Sequence, residues 1–297
     1  MREWKIPECK KKRVIIDTDA KNEVDDQFAI AQAVLSQSLD IRGIVAAHFG
    51  TERTDTSMQE SYEEIWRVLS LMNLEDRFRV FKGAEKALEN ETGPIISEGA
   101  EFIVEEAMKE EGPLYIACMG AITNVASAIL MEPAILKKDI KIIWIGGGDY
   151  PDGRWEYNLK NDINAANVVF KSGIEIWQIS RDVYRMMPVS FAELYHHVYP
   201  CGKIGEYLTT NVVDFNNADA SRPTEYRILG DSPSVGIMLY EDCGRWRSQK
   251  RPYFNPDMTY NYSGDYGDIR VYEDIDSRFI LEDLYAKLKD YSVTVND

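Results

Sequence analysis

Hydrophobic residues along the chain alternate between short β-branched runs and longer stretches in which apolar positions recur every three or four residues. The short runs predict buried strands. They lie at residues 13–17, 41–47, 78–81, 114–120, 141–148 and 174–180. The longer stretches predict amphipathic helices packed on a sheet. They lie at residues 23–37, 58–72, 97–110, 123–130 and 164–171.

Strands and helices follow one another regularly over this part of the chain, which is typical of α/β proteins. We therefore expect an open, mostly parallel, Rossmann-like sheet with helices on both faces. The pattern after Val189 is helical, and residues 232–240 predict another helix. A strand at residues 269–275 and a closing helix at residues 278–288 follow.

Residues 243–268 have no clear hydrophobic period and are rich in aromatic and polar side chains. So long an irregular segment either forms a functional loop or contains a hairpin. Its aromatic residues could stack on a nucleobase, cover the sheet or form a subunit interface. Because the chain shows no repeats and no clear linker, we expect one domain over residues 1–297.

Three unusual segments each follow a predicted strand: Asp17–Asp19, Met119–Gly120 and Gly146–Asp149. In open parallel sheets, ligands bind outside the carboxyl ends of the strands. This placement predicts that the three segments share one site. The three glycines at residues 146–148 lack the spacing of a dinucleotide-binding motif, so a tight turn is the better interpretation.

The first of these segments belongs to a cluster of four aspartates, namely Asp17, Asp19, Asp25 and Asp26. So many carboxylates repel one another unless a positive charge lies among them. A hard divalent cation held by oxygen ligands is the first hypothesis. The alternative is a solvated loop, with Asn22 capping a helix and two aspartates in its first turn.

Two other aspartate-rich motifs fit less well. An EF-hand beginning at Asp17 requires Gly and Glu where the chain has Asn22 and Phe28. A phosphatase of the haloacid dehalogenase type matches Asp17 and Asp19, but Lys21 departs from its motif, which also leaves the Asp25–Asp26 pair unexplained. It stays as a weaker alternative that predicts Mg²⁺-dependent release of phosphate.

Charge and composition exclude several classes of partner. The chain of 297 residues has a formal net charge of −16, which disfavours binding to nucleic acid and to anionic membranes. Its four cysteines are widely spaced and indicate reduced thiols. Residues 1–14 lack the apolar segment of a signal peptide, and no apolar run is long enough to span a membrane. We expect a soluble cytoplasmic protein, although a trimmed secreted form would have the same sequence.

The stretch RVIIDTDAKNEVDDQFAIAQAVL resembles the N-terminal signature of the nucleoside hydrolase family of the inosine–uridine-preferring type: a strand, Asp-x-Asp, a short turn and Asp-Asp at a helix start. Four further segments resemble that family in the expected order. They are CMGAITNVASAI (118–129), IIWIGGGDY followed by WEYNLKNDINAANVVFKSGI (142–174), LGDSPSVGIML (229–239) and IRVYEDIDSRFILEDLYAKL (269–288). The resemblance covers about the whole chain and implies the nucleoside hydrolase fold in a divergent member.

The resemblance also implies a Ca²⁺ site. Its ligands would be Asp19, Asp26, Asp231 and the main-chain carbonyl of Met119, with water and ribose hydroxyls completing the coordination. Asp19 would be the general base that activates water on the ion. The implied reaction is hydrolysis of the N-glycosidic bond of a ribonucleoside or related riboside in nucleoside salvage. Members of the family are commonly dimers or tetramers, so a homo-oligomer is expected.

The remaining implied residues contact the sugar. Asp25 and Asn158 would accept hydrogen bonds from ribose hydroxyls, and Glu156 would meet the far end of the ribose. Asp17 would support the site from behind. His48, at the end of a predicted strand, is a further candidate for substrate binding, with a structural role as the alternative.

The chain departs from the family pattern in three places. The turn before the Asp-Asp pair is longer and comprises Ala20 to Val24. Gly230 stands where such enzymes carry a histidine that assists the leaving base, and His48-Phe49-Gly50 replaces a strand-end asparagine. The ribose half of the site is thus expected intact and the base half rebuilt. A catalytically altered, calcium-dependent sugar- or nucleoside-binding protein is the alternative function.

Overall fold

The structure is a computed structural model that describes residues 5–296, with side chains described as far as residue 293. Part of the N-terminal segment considered as a signal peptide therefore lies outside the described residues. The strands are β1 (Lys12–Thr18), β2 (Leu39–Ala46), β3 (Val80–Lys82), β4 (Leu114–Cys118), β5 (Ile140–Ile145), β6 (Glu175–Ile179), β7 (Pro188–Ser190), β8 (Tyr226–Ile228), β9 (Trp246–Lys250), β10 (Tyr253–Phe254), β11 (Tyr260–Asn261) and β12 (Asp268–Tyr272).

Helices separate most of these strands. They are α1 (Asp26–Val34), α2 (Ser57–Leu71), α3 (Glu98–Ala107), α4 (Thr123–Met131), α5 (Tyr157–Asn161), α6 (Ile163–Lys171), α7 (Arg181–Tyr184), α8 (Phe191–His197), α9 (Gly202–Asn217), α10 (Ser232–Leu239) and α11 (Ser277–Asn296). Each predicted strand and helix between residues 13 and 180 is present, with bounds that differ by a few residues.

The central sheet has eight strands in the order β3-β2-β1-β4-β5-β6-β12-β9. All neighbouring pairs are parallel except the edge pair of β9 and β12. The predicted α/β fold with a mostly parallel sheet is thereby confirmed. Because one sheet takes strands from residue 12 to residue 272, it is consistent with a single domain over residues 1–297, which stays a prediction.

Side chains of β1 alternate between two apolar cores, one on each face of the sheet. Val14 and Ile16 pack with Phe28 of α1, whereas Ile15 packs with Phe102 of α3. α10 and α11 contact α1 on the first face, and α4 contacts α3 and α6 on the second. Because both faces of the strand are buried, its sequence is a continuous apolar run and does not alternate between apolar and polar residues.

Helix α1 begins at Asp26, three residues later than the predicted start at residue 23. Asn22 does not cap it, because Asp25 occupies the N-cap position; the side-chain amide of Asn22 donates to Asp19. The side chain of Gln27 in the first turn donates to the carbonyl of Ala20. These contacts fold residues 20–24 into turns ahead of the helix.

The structure defines the helical stretch after Val189 and the aperiodic segment at residues 243–268. The helical stretch after Val189 is two helices, α8 and α9, separated by a turn before Gly202. The aperiodic segment contains the edge strand β9 and the antiparallel pair of β10 and β11, so the hairpin interpretation is confirmed. All four cysteines are free thiols. Within residues 5–296, no helix combines the length and apolar character that crossing a membrane requires.

Candidate active site

A cavity of about 180 Å³ opens at the carboxyl ends of β1, β4 and β5. Six of its lining residues carry carboxylates, and no described lysine or arginine lines it. The carboxylates belong to Asp19, Glu23, Asp25, Asp26, Glu156 and Asp231. The remaining lining residues are Asn22, Met119, Ile145, Trp155, Tyr157, Asn158, Tyr184 and Gly230. The structure thus brings together most of the residues singled out in the sequence, in the place that the parallel-sheet rule predicts.

Asp19 lies just past β1 and is almost completely buried. Its Oδ2 accepts a hydrogen bond of 3.1 Å from Nδ2 of Asn22. Burial, followed by repulsion from Asp26 and Asp25, raises its pKa well above the ordinary value. A Cβ on Gly120, at the end of β4, would lie 2.7 Å from Cγ of Asp19. Only glycine therefore allows this close approach of the two strand ends.

Three further carboxylates lie beside Asp19. One oxygen each of Asp25, Asp26 and Asp231 lies within 4.8 Å of the other two. Asp25 accepts a hydrogen bond of 2.8 Å from the backbone N–H of Gly230, and Asp26 accepts one from the hydroxyl of Thr18. Burial raises the pKa of Asp25 to about 7 and that of Asp26 to about 6, and it raises the pKa of Asp231 well above its ordinary value.

This donor set fits a hard divalent cation. Four buried carboxylates and the nearby carbonyl of Met119 offer only oxygen ligands, which such ions prefer. Burial, followed by repulsion from neighbouring aspartates, raises the pKa values of Asp19 and Asp231 well above their ordinary value, so nearby positive charge would stabilise their ionised forms. A bound cation would supply that charge.

Asp17 lies behind this cluster and does not line the cavity. Its Oδ2 accepts a hydrogen bond of 2.9 Å from Nδ2 of Asn124, and burial raises its pKa to about 7. This carboxylate therefore links β1 to α4 beneath the site.

Asn158 and Glu156 form the opposite wall. Nδ2 of Asn158 donates to the carbonyls of Met119 and Ile145, at 2.9 Å each, and so ties the ends of β4 and β5 together. Glu156 caps α5 by accepting from the N–H groups of Asn158 and Leu159. It also accepts from the N–H of Gly147 and from the hydroxyl of Tyr184. Both carboxylate oxygens are consequently fixed in direction.

The structure does not bring His48 to the cavity. Its ring is fully buried, with Nε2 2.8 Å from Oγ1 of Thr123 and Nδ1 accepting from the N–H of Gly50. Burial lowers its pKa to about 4. The expected substrate-binding role is therefore replaced by the structural alternative, in which the imidazole holds the end of β2 against α4.

The aromatic residues of the aperiodic segment also lie elsewhere. Phe254 and Tyr260 are buried against the second face of the sheet, and Trp144 and Phe170 contact Phe254. Of the alternatives weighed for this segment, covering the sheet matches the structure. In α8, His197 stacks on Tyr285 with ring centroids 4.8 Å apart, which is a packing role.

Several cavity residues were not identified as site residues from the sequence. Trp155 is half exposed at the mouth and lies edge-on to Tyr157. Tyr184 follows β6, so the strand-end rule applied to that strand would have pointed to it. Asn22 and Glu23 belong to the long turn after Asp19, where a helix-capping pattern hid their role.

That long turn is anchored from the core by Glu64 of α2, whose side chain is 1% exposed. Glu64 accepts from Nζ of Lys21 at 3.2 Å, from Nε2 of Gln27 at 3.2 Å and from the hydroxyl of Tyr207. On the outer side, Arg53 donates to the carbonyl of Asn22, and Arg227 pairs with Glu23. The turn is therefore held on both sides.

Replacing Glu64 with Leu is expected to lower the free energy of unfolding by about 2 kcal/mol, because it leaves buried donors without an acceptor. Urea unfolding measures the change. Glu63→Leu on the exposed face of α2 is the matched control and is expected to stay within about 0.5 kcal/mol of the wild type. Equal stabilities of the two variants would contradict the anchoring role of Glu64.

Comparison with known proteins relates this chain to nucleoside hydrolases. Residues 14–242 match the family model described as "Inosine-uridine preferring nucleoside hydrolase". The chain is 26% identical over 228 residues to "Probable uridine nucleosidase 2" of Arabidopsis thaliana, a match that covers 67% of this chain and 68% of that protein. It is 26% identical over 199 residues to "Pyrimidine-specific ribonucleoside hydrolase RihB" of Escherichia coli (strain SE11), covering 58% of this chain and 60% of that protein.

A solved structure, "Purine-Preferring Ribonucleoside Hydrolase from Gardnerella vaginalis", superposes with a TM-score of 0.77 at 19% identity. The superposition covers 95% of this chain and 99% of that chain. At this level of identity, the likeness shows a shared fold.

Proposed function

The chain belongs to the inosine-uridine preferring nucleoside hydrolase family, and from this premise we propose that it hydrolyses the N-glycosidic bond of a ribonucleoside or related riboside with Ca²⁺ bound. Membership confirms the resemblance and the glycosidase class expected from the sequence. The observation that carries the specific proposal is a group of buried carboxylates at the strand ends. Asp25, Asp26 and Asp231 converge to within 4.8 Å, and Asp19 lines the same cavity, where Asp26 and Asp25 repel it. The matches to the two relatives span 68% and 60% of their lengths, so their substrates are not transferred to this chain.

The proposed ligands of the ion are Asp19, Asp26, Asp231 and the carbonyl of Met119. Asp26 and Asp231 belong, together with Asp25, to the group of carboxylates that converge to within 4.8 Å, which supports their assignment; Asp19 lies outside that group and is assigned from the family resemblance. When bound, Ca²⁺ supplies positive charge that orients water and sugar hydroxyls. The preference for Ca²⁺ over other hard cations is part of the proposal.

The chain's own groups account for the remaining chemistry. We assign Asp19 as the base that takes a proton from the attacking water. Asp25, fixed on one oxygen by the N–H of Gly230, has a second oxygen with which to accept from a ribose hydroxyl. The surrounding carboxylates stabilise the positive charge that develops on the ribose as the glycosidic bond breaks. Glu156 and Asn158 complete the sugar pocket.

Gly230 stands where related enzymes carry the histidine that assists the leaving base, so no side chain is present there. A Cβ at this position would lie 3.2 Å from a ring carbon of Tyr184. A half-exposed indole, Trp155, stands at the cavity mouth instead. A flat aromatic leaving group could stack on it, which favours nucleobases over aliphatic aglycones.

Replacing Trp155 with Ala is expected to raise KM for uridine and inosine about tenfold, because a stacked base loses its platform. Trp155→Phe should keep most of the wild-type affinity. Trp246→Ala removes another exposed tryptophan that does not line the cavity, and its KM should match the wild type. Steady-state kinetics of the three variants distinguish a platform from a surface residue.

The proposed function is tested with a panel of purine and pyrimidine nucleosides and other ribosides, measuring released base and reducing sugar with Ca²⁺ and after chelation. Release of both products, dependent on the ion, is the expected result. The bare position at Gly230 favours the second candidate, a calcium-dependent binding protein. Tight binding of nucleosides in calorimetry without any release would establish that alternative and overturn hydrolysis.

We also propose that the protein works in the cytoplasm, as expected from its sequence, and that it is a homo-oligomer, which is an expectation drawn from the family resemblance. The net charge of −16 supports the absence of nucleic-acid and membrane partners. Light scattering coupled to gel filtration measures the oligomeric state directly.

A further inference from the structure

Asn22 is one of two asparagines that line the acidic cavity. It lies in the long turn after Asp19, lines the cavity and is only 5% exposed. Among the uncharged amide side chains of the cavity, Asn158 already donates to two backbone carbonyls. Asn22 instead donates to the carboxylate that we assign as the base.

The direction of the Asn22 amide follows from its neighbour. A carboxylate oxygen of Asp19 accepts the hydrogen bond of 3.1 Å, so the group facing it is the NH₂. The carbonyl oxygen, Oδ1, therefore points away from Asp19. It is buried and has no hydrogen-bond partner among residues 5–296. The hydrogen bond to Asp19 is therefore the one side-chain hydrogen bond that Asn22 makes within residues 5–296.

The backbone of Asn22 is fixed independently of its side chain. Its N–H donates to the carbonyl of Asp19 at 2.7 Å, and its own carbonyl accepts from Arg53. Lys21 and Glu23, on either side, are paired with Glu64 and Arg227. The amide is consequently held in place before any substrate binds.

We propose that Asn22 is a positioning residue for hydrolysis, an inference that rests on the proposed function. Nδ2 holds one oxygen of the Asp19 carboxylate, which leaves the other oxygen to take a proton from the attacking water. With that hydrogen directed to Asp19, the water presents a lone pair to the anomeric carbon. The new C–O bond forms as the C–N bond breaks, the bonding electrons leave with the base nitrogen, and the proton passes to Asp19.

The arrangement predicts a separation of kinetic parameters. Removing the amide should lower kcat and leave KM nearly unchanged, because the residue acts on the attacking water rather than on the sugar. Loss of a hydrogen bond to a charged group predicts a decrease in kcat of roughly 10- to 100-fold for Asn22→Ala. Asn22→Asp keeps the shape but replaces the donor with a like charge beside Asp19, so its kcat should fall at least as far.

The experiment measures kcat and KM on uridine and inosine at saturating Ca²⁺, together with Ca²⁺ affinity by calorimetry and thermal stability. Asn216→Ala is the matched control: Asn216 is equally buried, donates to the carbonyls of Pro223 and Tyr226, and does not line the cavity. The expected result is a loss of kcat in both Asn22 variants. For Asn22→Ala, Ca²⁺ affinity should be unchanged and stability no lower than that of the control.

Two kinds of result overturn the inference alone. One is kcat within about threefold of the wild type in either Asn22 variant. The other is a loss of kcat that only parallels lost Ca²⁺ affinity or stability, since that would indicate a structural role. If Asn22→Ala fails to fold, the kcat of Asn22→Asp, which keeps the shape of the side chain, decides the test. A wild-type protein that releases no sugar from any riboside would overturn the proposed function, and this inference with it.

Discussion

Asp19→Ala is expected to lower kcat roughly a thousandfold on any substrate that the wild-type protein hydrolyses, which is within the usual range for loss of a general base. The carboxylate is nearly fully buried, aligned by Asn22 and surrounded by other acids. The kcat of Asp19→Asn should fall as far, because this variant keeps the shape of the side chain and removes its basic group.

The control for Asp19 is another buried aspartate outside the cavity. Asp162 is 3% exposed, and its carboxylate caps α6 through the N–H of Ala165. Asp162→Asn should lower the thermal stability yet keep kcat near that of the wild type when measured on folded protein. Rapid hydrolysis by Asp19→Ala would exclude Asp19 as the base and would leave Asp25 or Asp231 as the candidates for that role.

The sequence allowed the position of the site to be predicted because its signals are local. The run Val14 to Ile16 is apolar on both faces, so it had to be a central strand, and the acids after it had to emerge at the carboxyl edge. The same rule predicted that the segments after β4 and β5 lie at this edge of the sheet. The pattern therefore predicted the α/β fold and the location of Asp19, Asp25 and Asp26, whereas Asp231 and Glu156 were expected only from the family resemblance.

Other parts depended on tertiary contacts that leave no local signature. Asn22 had the sequence of a helix cap, yet a hydrogen bond to Asp19 determines its conformation. His48 stood at a strand end like a site residue, but Thr123 draws its ring into the protein interior. Trp155 lines the cavity beside Glu156, which caps α5. Competing partners distant in sequence decided each case, and periodicity does not reveal such partners.

The contacts of the long turn explain how a departure from the family pattern is compatible with the acidic cavity. Residues 20–24 lengthen the connection between Asp19 and the Asp25–Asp26 pair, which by itself would loosen both. Glu64 and Gln27 hold the turn from the core, and Arg227 holds it from outside. The extra length brings Asn22 into the cavity.

Removing the bound ion is expected to abolish hydrolysis and destabilise the protein, whereas Asp231→Asn should separate these two effects. At pH 8, above the pKa of about 7 for Asp25, ionised carboxylates in the cluster repel one another without a cation. Ca²⁺ at about 100 times its Kd adds about 2.7 kcal/mol to the free energy of unfolding. In a chain of this size, that corresponds to a rise in Tm of about 5 °C.

Asp231→Asn removes one proposed ligand and one of the crowded negative charges. The metal-free variant should therefore have a higher Tm than the metal-free wild type, although it is inactive and shows little Ca²⁺-induced shift. Burial and the charges of Asp26, Asp25 and Asp19 raise the pKa of Asp231, so its neutral replacement relieves the repulsion directly. Thermal unfolding with and without Ca²⁺ measures both effects. A full Ca²⁺ shift in the variant would remove Asp231 from the ligand set, and a wild type indifferent to chelation would exclude a stabilising ion.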